Sequence, residues 1–191
     1  MWNSDICNPG RSRGIIWTMQ NTTRSQLRHS TELIDNIDYS GRTKPVVSED
    51  YIVGLTDGEG CFYVNVSESS RYKTGSKVEL HFHIKLNERD RGLLEKVKNT
   101  LDCGNVYFQN EKRKNHAQCY RYTVASHRDI IGTKIPFFKE YPLQSASKQL
   151  SFNLFSEIAV MVYSGKHLTK EGVAEIKKLK HKMNQKTTGL A

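Results

Sequence analysis

Apolar positions along this chain change their spacing several times, and each change marks an element. From Met1 to about Val46 no spacing is sustained. The stretch is rich in Ser, Thr, Asn and Arg, with at most a marginal helix around Ser25 to Ile37, and reads as a leader or linker, residues 1–46, closed by Pro45. Ser48 then has the character of a helix N-cap, with Glu49 and Asp50 in the first turn, where the helix dipole favours anions. A short helix from about Glu49 to Asp57 is expected, with Ile52 and Leu55 turned to the core. After Gly60 the period becomes two. Cys61 to Ser67 places Phe62, Val64 and Val66 on one face, and Lys77 to Leu86 alternates more cleanly, with Val78, Leu80, Phe82, Ile84 and Leu86 opposite Lys77, Glu79, His81, His83 and Lys85. Such alternation predicts half-buried strands, joined here by a polar loop, 68–76, that contains Gly75.

The period then returns to that of a helix. Asn87 or Asp90 can cap it, Leu93, Leu94, Val97 and Leu101 form its apolar stripe, and Gly104 is a plausible glycine stop. Two more strands follow, Asn105 to Gln109 and Gln118 to Val124, connected through a basic loop with Lys112, Arg113 and Lys114. Ser126 can cap a further helix that Pro136 interrupts or restarts, and helices from about Ser145 to Tyr163 and Thr169 to Asn184 end the chain. The expected class is α+β in the order αββαββα: a curved antiparallel sheet, C-terminal helices, and one domain over residues 47–191.

Charge narrows the partners. The 191 residues carry 29 Lys and Arg against 20 Asp and Glu, a net +9. That excess suits a phosphate backbone, although a merely soluble basic surface has the same balance. Cys7, Cys61, Cys103 and Cys119 show no close pairing, which argues against a disulfide framework; a zinc site from His81, His83, His116 and Cys119 has little support. No apolar run approaches the about 18 residues of a membrane span. The acid-poor start with Arg11, Arg13, Arg24 and Arg28 weakly resembles an organellar transit sequence, and an uncleaved leader explains it equally well.

Two oddities sit in the first predicted helix. Gly54 and Gly58 lie at i and i+4, on one face, although glycine within a helix costs about 1 kcal/mol relative to alanine. Glu59 stands at the C-terminal end, where the dipole favours cations instead. One arrangement explains both: two such helices in close contact, holding carboxylates side by side around a metal. The polar face of the strands has its own chemistry. Tyr63, Asn65, Ser67, Lys77, Glu79, His81, His83, Lys85, Asn105, Tyr107, Gln109, Arg121 and Thr123 include the residue types that read base edges and phosphates, and a β-surface can enter the major groove. The plain alternative is an ordinary solvated sheet face. Lys170, Lys177, Lys178, Lys180 and Lys182 of the last helix are candidates for flanking phosphates, or simply a solvated helix face.

The stretch Ile52-Val53-Gly54-Leu55-Thr56-Asp57-Gly58-Glu59-Gly60 resembles the signature of the LAGLIDADG homing endonucleases. Gly54, Leu55, Asp57 and Gly60 match outright, and Glu59 stands where that family places its metal-binding acid. The resemblance covers the chain from about Val47 to its end and includes Pro136 to Leu143 and His167 to Gly172. It implies site-specific double-strand DNA cleavage and intron homing. Mg²⁺, with Mn²⁺ as a substitute, would be held by Glu59 and the Gly58 carbonyl, and the polar sheet face would read DNA. Lys148 aligns with the active-site lysine of the family. Leu86 departs from the pattern where some relatives carry a water-positioning polar residue, and Asn87 or Lys85 are the nearest substitutes.

One copy of the motif gives one carboxylate per chain. The expectation is therefore a homodimer with Gly54, Gly58 and Asp57 at its interface and a palindromic or near-palindromic site. Asp57 is expected to satisfy backbone or interface hydrogen bonds, not to bind metal. Other readings stay open: an intron RNA maturase assisting splicing, a catalytically inactive DNA-binding protein, or a basic RNA-binding domain, although no RNP or KH motif is present. The resemblance places the protein in an organelle, mitochondrion or chloroplast, and otherwise in the cytoplasm or nucleoid.

Overall fold

The computed structural model describes residues 44–112 and 116–184, all within one compact unit, Lys44–Ala191. The expectations for residues 1–43, and for Arg113 and Lys114, lie outside the described residues. The elements are α1 (Glu49–Glu59), β1 (Gly60–Glu68), β2 (Ser76–Asn87), a 3₁₀ turn (Glu88–Asp90), α2 (Arg91–Leu101), β3 (Asn105–Gln109) and β4 (Cys119–Val124). A helical turn (His127–Asp129) then runs through π-helical Ile130–Lys134 into α3 (Ile135–Glu140). It is followed by α4 (Ala146–Tyr163), a 3₁₀ turn (Lys166–Leu168) and α5 (Lys170–Asn184).

The four strands form one antiparallel sheet in the order β1-β2-β4-β3. The register puts Phe62 opposite Phe82 and Phe82 opposite Val124, while Ile84 faces Tyr122 and Tyr122 faces Val106. These even-numbered positions line the inner face, and the helices cover it. Phe62 is the hinge of that packing, with ring centroids 5.2–5.6 Å apart linking Phe62, Phe82, Phe138, Phe152 and Phe155.

Local chemistry sets the boundaries. Ser48 caps α1, its hydroxyl accepting from the Tyr51 amide, and Asn87 and Ser126 cap the turns that follow β2 and β4. The first helix is two residues longer than its sequence implies. It turns Ile52, Val53 and Thr56 inward, and Leu55, partly buried, packs against the same core, so the expected Ile52 and Leu55 are joined there by Val53 and Thr56. Gly104 is not the stop of α2. Asp102 takes the left-handed position at φ 45°, and Gly104, also left-handed at φ 77°, adds a second bend where a Cβ would meet the Thr123 carbonyl at 2.7 Å. Pro136 begins α3 and does not break it, because the preceding turns are π-helical and Pro fits the first turn of a helix. Among the described residues no helix is long and apolar enough to cross a membrane.

Candidate functional site

The end of α1 is built by close approach. The Gly60 amide bonds the Thr56 carbonyl and closes the last turn, so the carbonyls beyond Thr56, that of Gly58 included, lie past the last intrahelical bond. Gly60 is required for space, not for φ: a Cβ there would stand 2.5 Å from Thr56 Cγ2 and 2.6 Å from the Thr56 carbonyl oxygen. Glu59 is thereby fixed as the final helical residue, with its side chain exposed. Gly54 and Gly58 are exposed too, and a Cβ on either would meet nothing within 4 Å among the described residues.

The segment leading into α4 clamps that helix end. Lys148 Nζ donates to the Gly60 carbonyl at 2.6 Å, which holds a cation one residue from Glu59. The Gln144 amide donates to Asp57 Oδ2 at 2.9 Å, leaving Asp57 Oδ1 buried without a hydrogen-bond partner among the described residues. Gln149 Oε1 in turn accepts from the Leu143 amide at 3.0 Å and steadies the turn that carries Gln144. The sequence names Glu59, Gly58, Asp57 and Lys148, which the fold brings to this one helix end, but does not point to Gln144 and Gln149. Their contacts span a turn whose path only the fold defines, and no periodicity signals them.

All thirteen face residues named from the sequence lie on one side of the sheet. The register aligns Cys61, His83, Thr123 and Asn105 in one row, and Lys85, Arg121 and Tyr107 in the next. Tyr63 lies opposite His81, Asn65 opposite Glu79 and Ser67 opposite Lys77. They are not free side chains waiting in water. Lys77 pairs with Glu79 at 2.5 Å, and Asn65 Nδ2 donates to the other Glu79 oxygen at 3.0 Å. These bonds hold the Glu79 carboxyl below the usual carboxylate range. Lys85 lies 3.6 Å from Glu111. His83 Nδ1 meets Thr123 Oγ1 at 3.0 Å, and the His81 and His83 rings stack with centroids 5.4 Å apart. Burial first, and then Arg121 and His81, push His83 down to about 4, while burial also lowers His81. Both rings are therefore neutral near pH 7 and act as hydrogen-bonding groups, not as cations.

The structure adds two parts to this face. Lys180 of α5 lies with its Nζ 6.0 Å from the Tyr63 ring, at the β1 edge. Beyond Phe82, the N-terminal half of β2 has no β4 partner, and Ser126, His127 and Arg128 fill that side. With Tyr72, Lys77, Glu79 and His81 they line a cleft of about 470 Å³. The sequence hid this, because it depends on where β4 ends against β2.

The donor set at α1 suits a hard cation: an exposed carboxylate and backbone carbonyls, with no soft ligand required. Among the described residues no group of three or more His, Cys, Asp or Glu side chains converges on one point, so any ion at this helix end would draw on the Glu59 carboxylate and backbone carbonyls. Cys61, Cys103 and Cys119 are free thiols.

Comparison with known proteins agrees with this geometry. A probable intron-encoded endonuclease 2 of Neurospora crassa is 33% identical over 126 residues, 66% of this chain and 27% of that protein, so the chain spans about a quarter of its relative. The crystal structure of the homing endonuclease I-TnaI superposes with a TM-score of 0.65 at 35% identity, covering 73% of this chain and 90% of that one. That of I-SmaMI, bound to an uncleaved DNA target in the presence of calcium ions, gives a TM-score of 0.66 at 29% identity over 74% of this chain and 46% of its own. The sequence model of the LAGLIDADG endonucleases matches residues 52–159, and the chain belongs to that family.

Proposed function

We propose that this chain is a site-specific, Mg²⁺-dependent endonuclease that hydrolyses phosphodiester bonds in both strands of a DNA target, with residues 47–191 as its nuclease domain. The observation that carries the reading is the 2.6 Å bond from Lys148 to the Gly60 carbonyl, which sets a cation beside the exposed Glu59 at the end of the motif helix. Two copies of the chain meet through the Gly54 and Gly58 faces. Two observations support this: among the described residues nothing lies within 4 Å of where a Cβ on either glycine would stand, and the Asp57 Oδ1 beside them is buried without a partner. The open helix face brings two Glu59 carboxylates together at one site. The intron origin in the names of the relatives supports a role in intron homing.

Glu59 and the Gly58 carbonyl would hold the metal, and the calcium reported with DNA-bound I-SmaMI supports a divalent cation at such a site. When bound, Mg²⁺ lowers the pKa of a water and offsets charge on the phosphate. The other tasks fall to the chain itself. Lys148 places its ammonium where charge grows on the phosphate oxygens. Asp57, held by Gln144, keeps α1 fixed against α4, so that Glu59 does not drift. The sheet face sets the register of the duplex through base edges and phosphates.

The test is cleavage of a randomised DNA library by the full chain with Mg²⁺, native against Glu59→Gln. Cuts at one motif that Glu59→Gln loses by at least about a hundredfold, with binding retained, are expected. Equal cutting by both proteins would remove Glu59 from the metal centre, and binding without any cut would make the chain a DNA-binding protein. Lys148→Ala should slow single-turnover cleavage by roughly 10–100-fold without changing binding.

A further inference from the structure

Three side chains on the outer face, Lys77, Glu79 and Asn65, are joined by direct bonds. Lys77 and Glu79 are two residues apart on β2, so their Cα atoms are separated by ~6.8 Å along the strand. Their tips nevertheless converge to 2.5 Å, and Asn65, across the register on β1, locks the second Glu79 oxygen at 3.0 Å. The pair is open to solvent, with side-chain exposures of 43% for Lys77 and 30% for Glu79. Neither member is exhausted by these bonds. An ammonium has three donors and an ionised carboxylate about four acceptor positions, so both keep capacity pointing outward. Successive base pairs rise by about 3.4 Å. Tips this close cannot serve two pairs separated by the full Cα spacing, and so they address one base pair.

We infer that Lys77 and Glu79, held by Asn65, read a single C·G pair in one orientation. In the major groove cytosine presents its N4 donor, and guanine beside it presents the O6 and N7 acceptors. A carboxylate accepting from N4 and an ammonium donating to O6 and N7 match that edge group for group. The reversed G·C pair sets donor against donor and acceptor against acceptor. An A·T pair also offers an amine, but it puts the thymine methyl beside O4, where a charged pair would lose water without gaining a partner. Asn65 is a positioning residue here: without its amide, Glu79 keeps Lys77 but loses the second anchor that fixes its carboxylate plane. This inference rests on the DNA-reading role proposed above and assigns one base pair within it.

The experiment uses the full chain and a library of duplexes randomised across the site, selected for binding and for Mg²⁺-dependent cleavage. The native protein should show one position per half-site where C·G is preferred over G·C by roughly 10–100-fold. The exchange K77E/E79K reverses donor and acceptor and should invert that single preference to G·C, with the remaining positions unchanged. The neutral pair K77Q/E79Q, which removes charge with little change of shape, should flatten it. Asn65→Ala should weaken it without moving it. A defined site at which neither exchange nor neutralisation alters any position, or alters only an A·T position, would overturn the assignment while leaving DNA reading intact. A native protein that selects no sequence at all would remove both the assignment and the reading it rests on.

Discussion

Strand β2 shows two kinds of order back to back. On its inner face Val78, Leu80, Phe82 and Ile84 are at most 6% exposed, and each is held by volume, with no directional bond. On its outer face Lys77, Glu79, His81 and His83 are held by bonds and ring contacts with one another and with β1 and β4. The inner face specifies that the sheet exists and where the helices sit. The outer face contributes little to stability, since exposed pairs are typically worth under about 1 kcal/mol. What it does contribute is order: side chains already fixed lose less entropy when a ligand arrives. Stability and the DNA reading proposed above thus fall on opposite sides of the same backbone.

The sharpest break of this contrast is a matched pair of truncations. Phe62 touches four other phenyl rings, and Phe62→Ala should cost about 3–5 kcal/mol, a large part of the stability of a domain this size. Tyr107 on the outer face is 52% exposed, and Tyr107→Ala should change stability by less than about 0.5 kcal/mol while weakening DNA binding. Urea unfolding and a binding titration on the two variants would check both halves. Comparable destabilisation by the two would mean that the outer face is part of the core.

Beneath the inner face lies a buried charge. Lys134 is fully buried, and among the described residues its Nζ has no well-formed hydrogen bond; the Cys103 side chain lies near enough to favour the charge but is not a geometric partner. Its amine lies 5.4 Å from the Tyr122 ring centroid and 5.9 Å from that of Phe82. Burial pushes it down to about 8, with Cys103 and Asp129 pulling weakly upward. Lys134→Met should therefore raise stability by about 1–4 kcal/mol, because an apolar side chain of similar length replaces a poorly compensated charge. The pH response follows in sign. With the folded pKa below the unfolded value of 10.5, the unfolded chain binds more protons between about 8 and 10.5, so native stability rises through that window. Lys134→Met should lose that rise. A variant that melts lower than the native protein would show that the amine has a partner worth keeping.

Lys134 also marks the boundary of what the chain discloses in one dimension. Alternation in Lys77 to Leu86 was enough to find both faces, because a strand of period two has only two sides to choose between. The motif glycines and Glu59 were legible because they break helix rules, and a broken rule needs a cause. Lys134 looked like any lysine, since its burial follows from a π-helical turn that rotates it under β2 and β4, and no local pattern encodes that rotation. Thr56 was hidden likewise. It is 0% exposed, and its Oγ1 has no partner among the described residues, yet as a hydroxyl in a helix it reads as surface. Gln144 belongs to the same class, since its bond to Asp57 forms only when the turn before α4 docks on α1, and Gln149 acts through that turn by holding the Leu143 amide.

The smallest expected effect returns to the outer face and its histidines. His83 is held at about 4 by burial and then by Arg121 and His81. His81 and His127 are lowered as well, chiefly by burial. For each ring the folded pKa is below the unfolded value of 6.5. The unfolded chain therefore takes up protons first, and stability falls as pH drops from about 6.5 toward 4. Glu79 adds a separate loss at lower pH, below its ordinary value of 4.5, where protonation breaks its bonds to Lys77 and Asn65. Solvent screens both terms because the groups are only partly buried, so the slope should be shallow beside the effect of Phe62→Ala. Melting curves at intervals between pH 4 and 7 would resolve it. His83→Gln, which keeps a polar partner for Thr123 but cannot be protonated, should flatten the decline above pH 4.5 and leave the loss below it. An unchanged slope would mean that His83 is as hydrated as it would be in an unfolded chain, and that the outer face is less ordered than its hydrogen bonds imply.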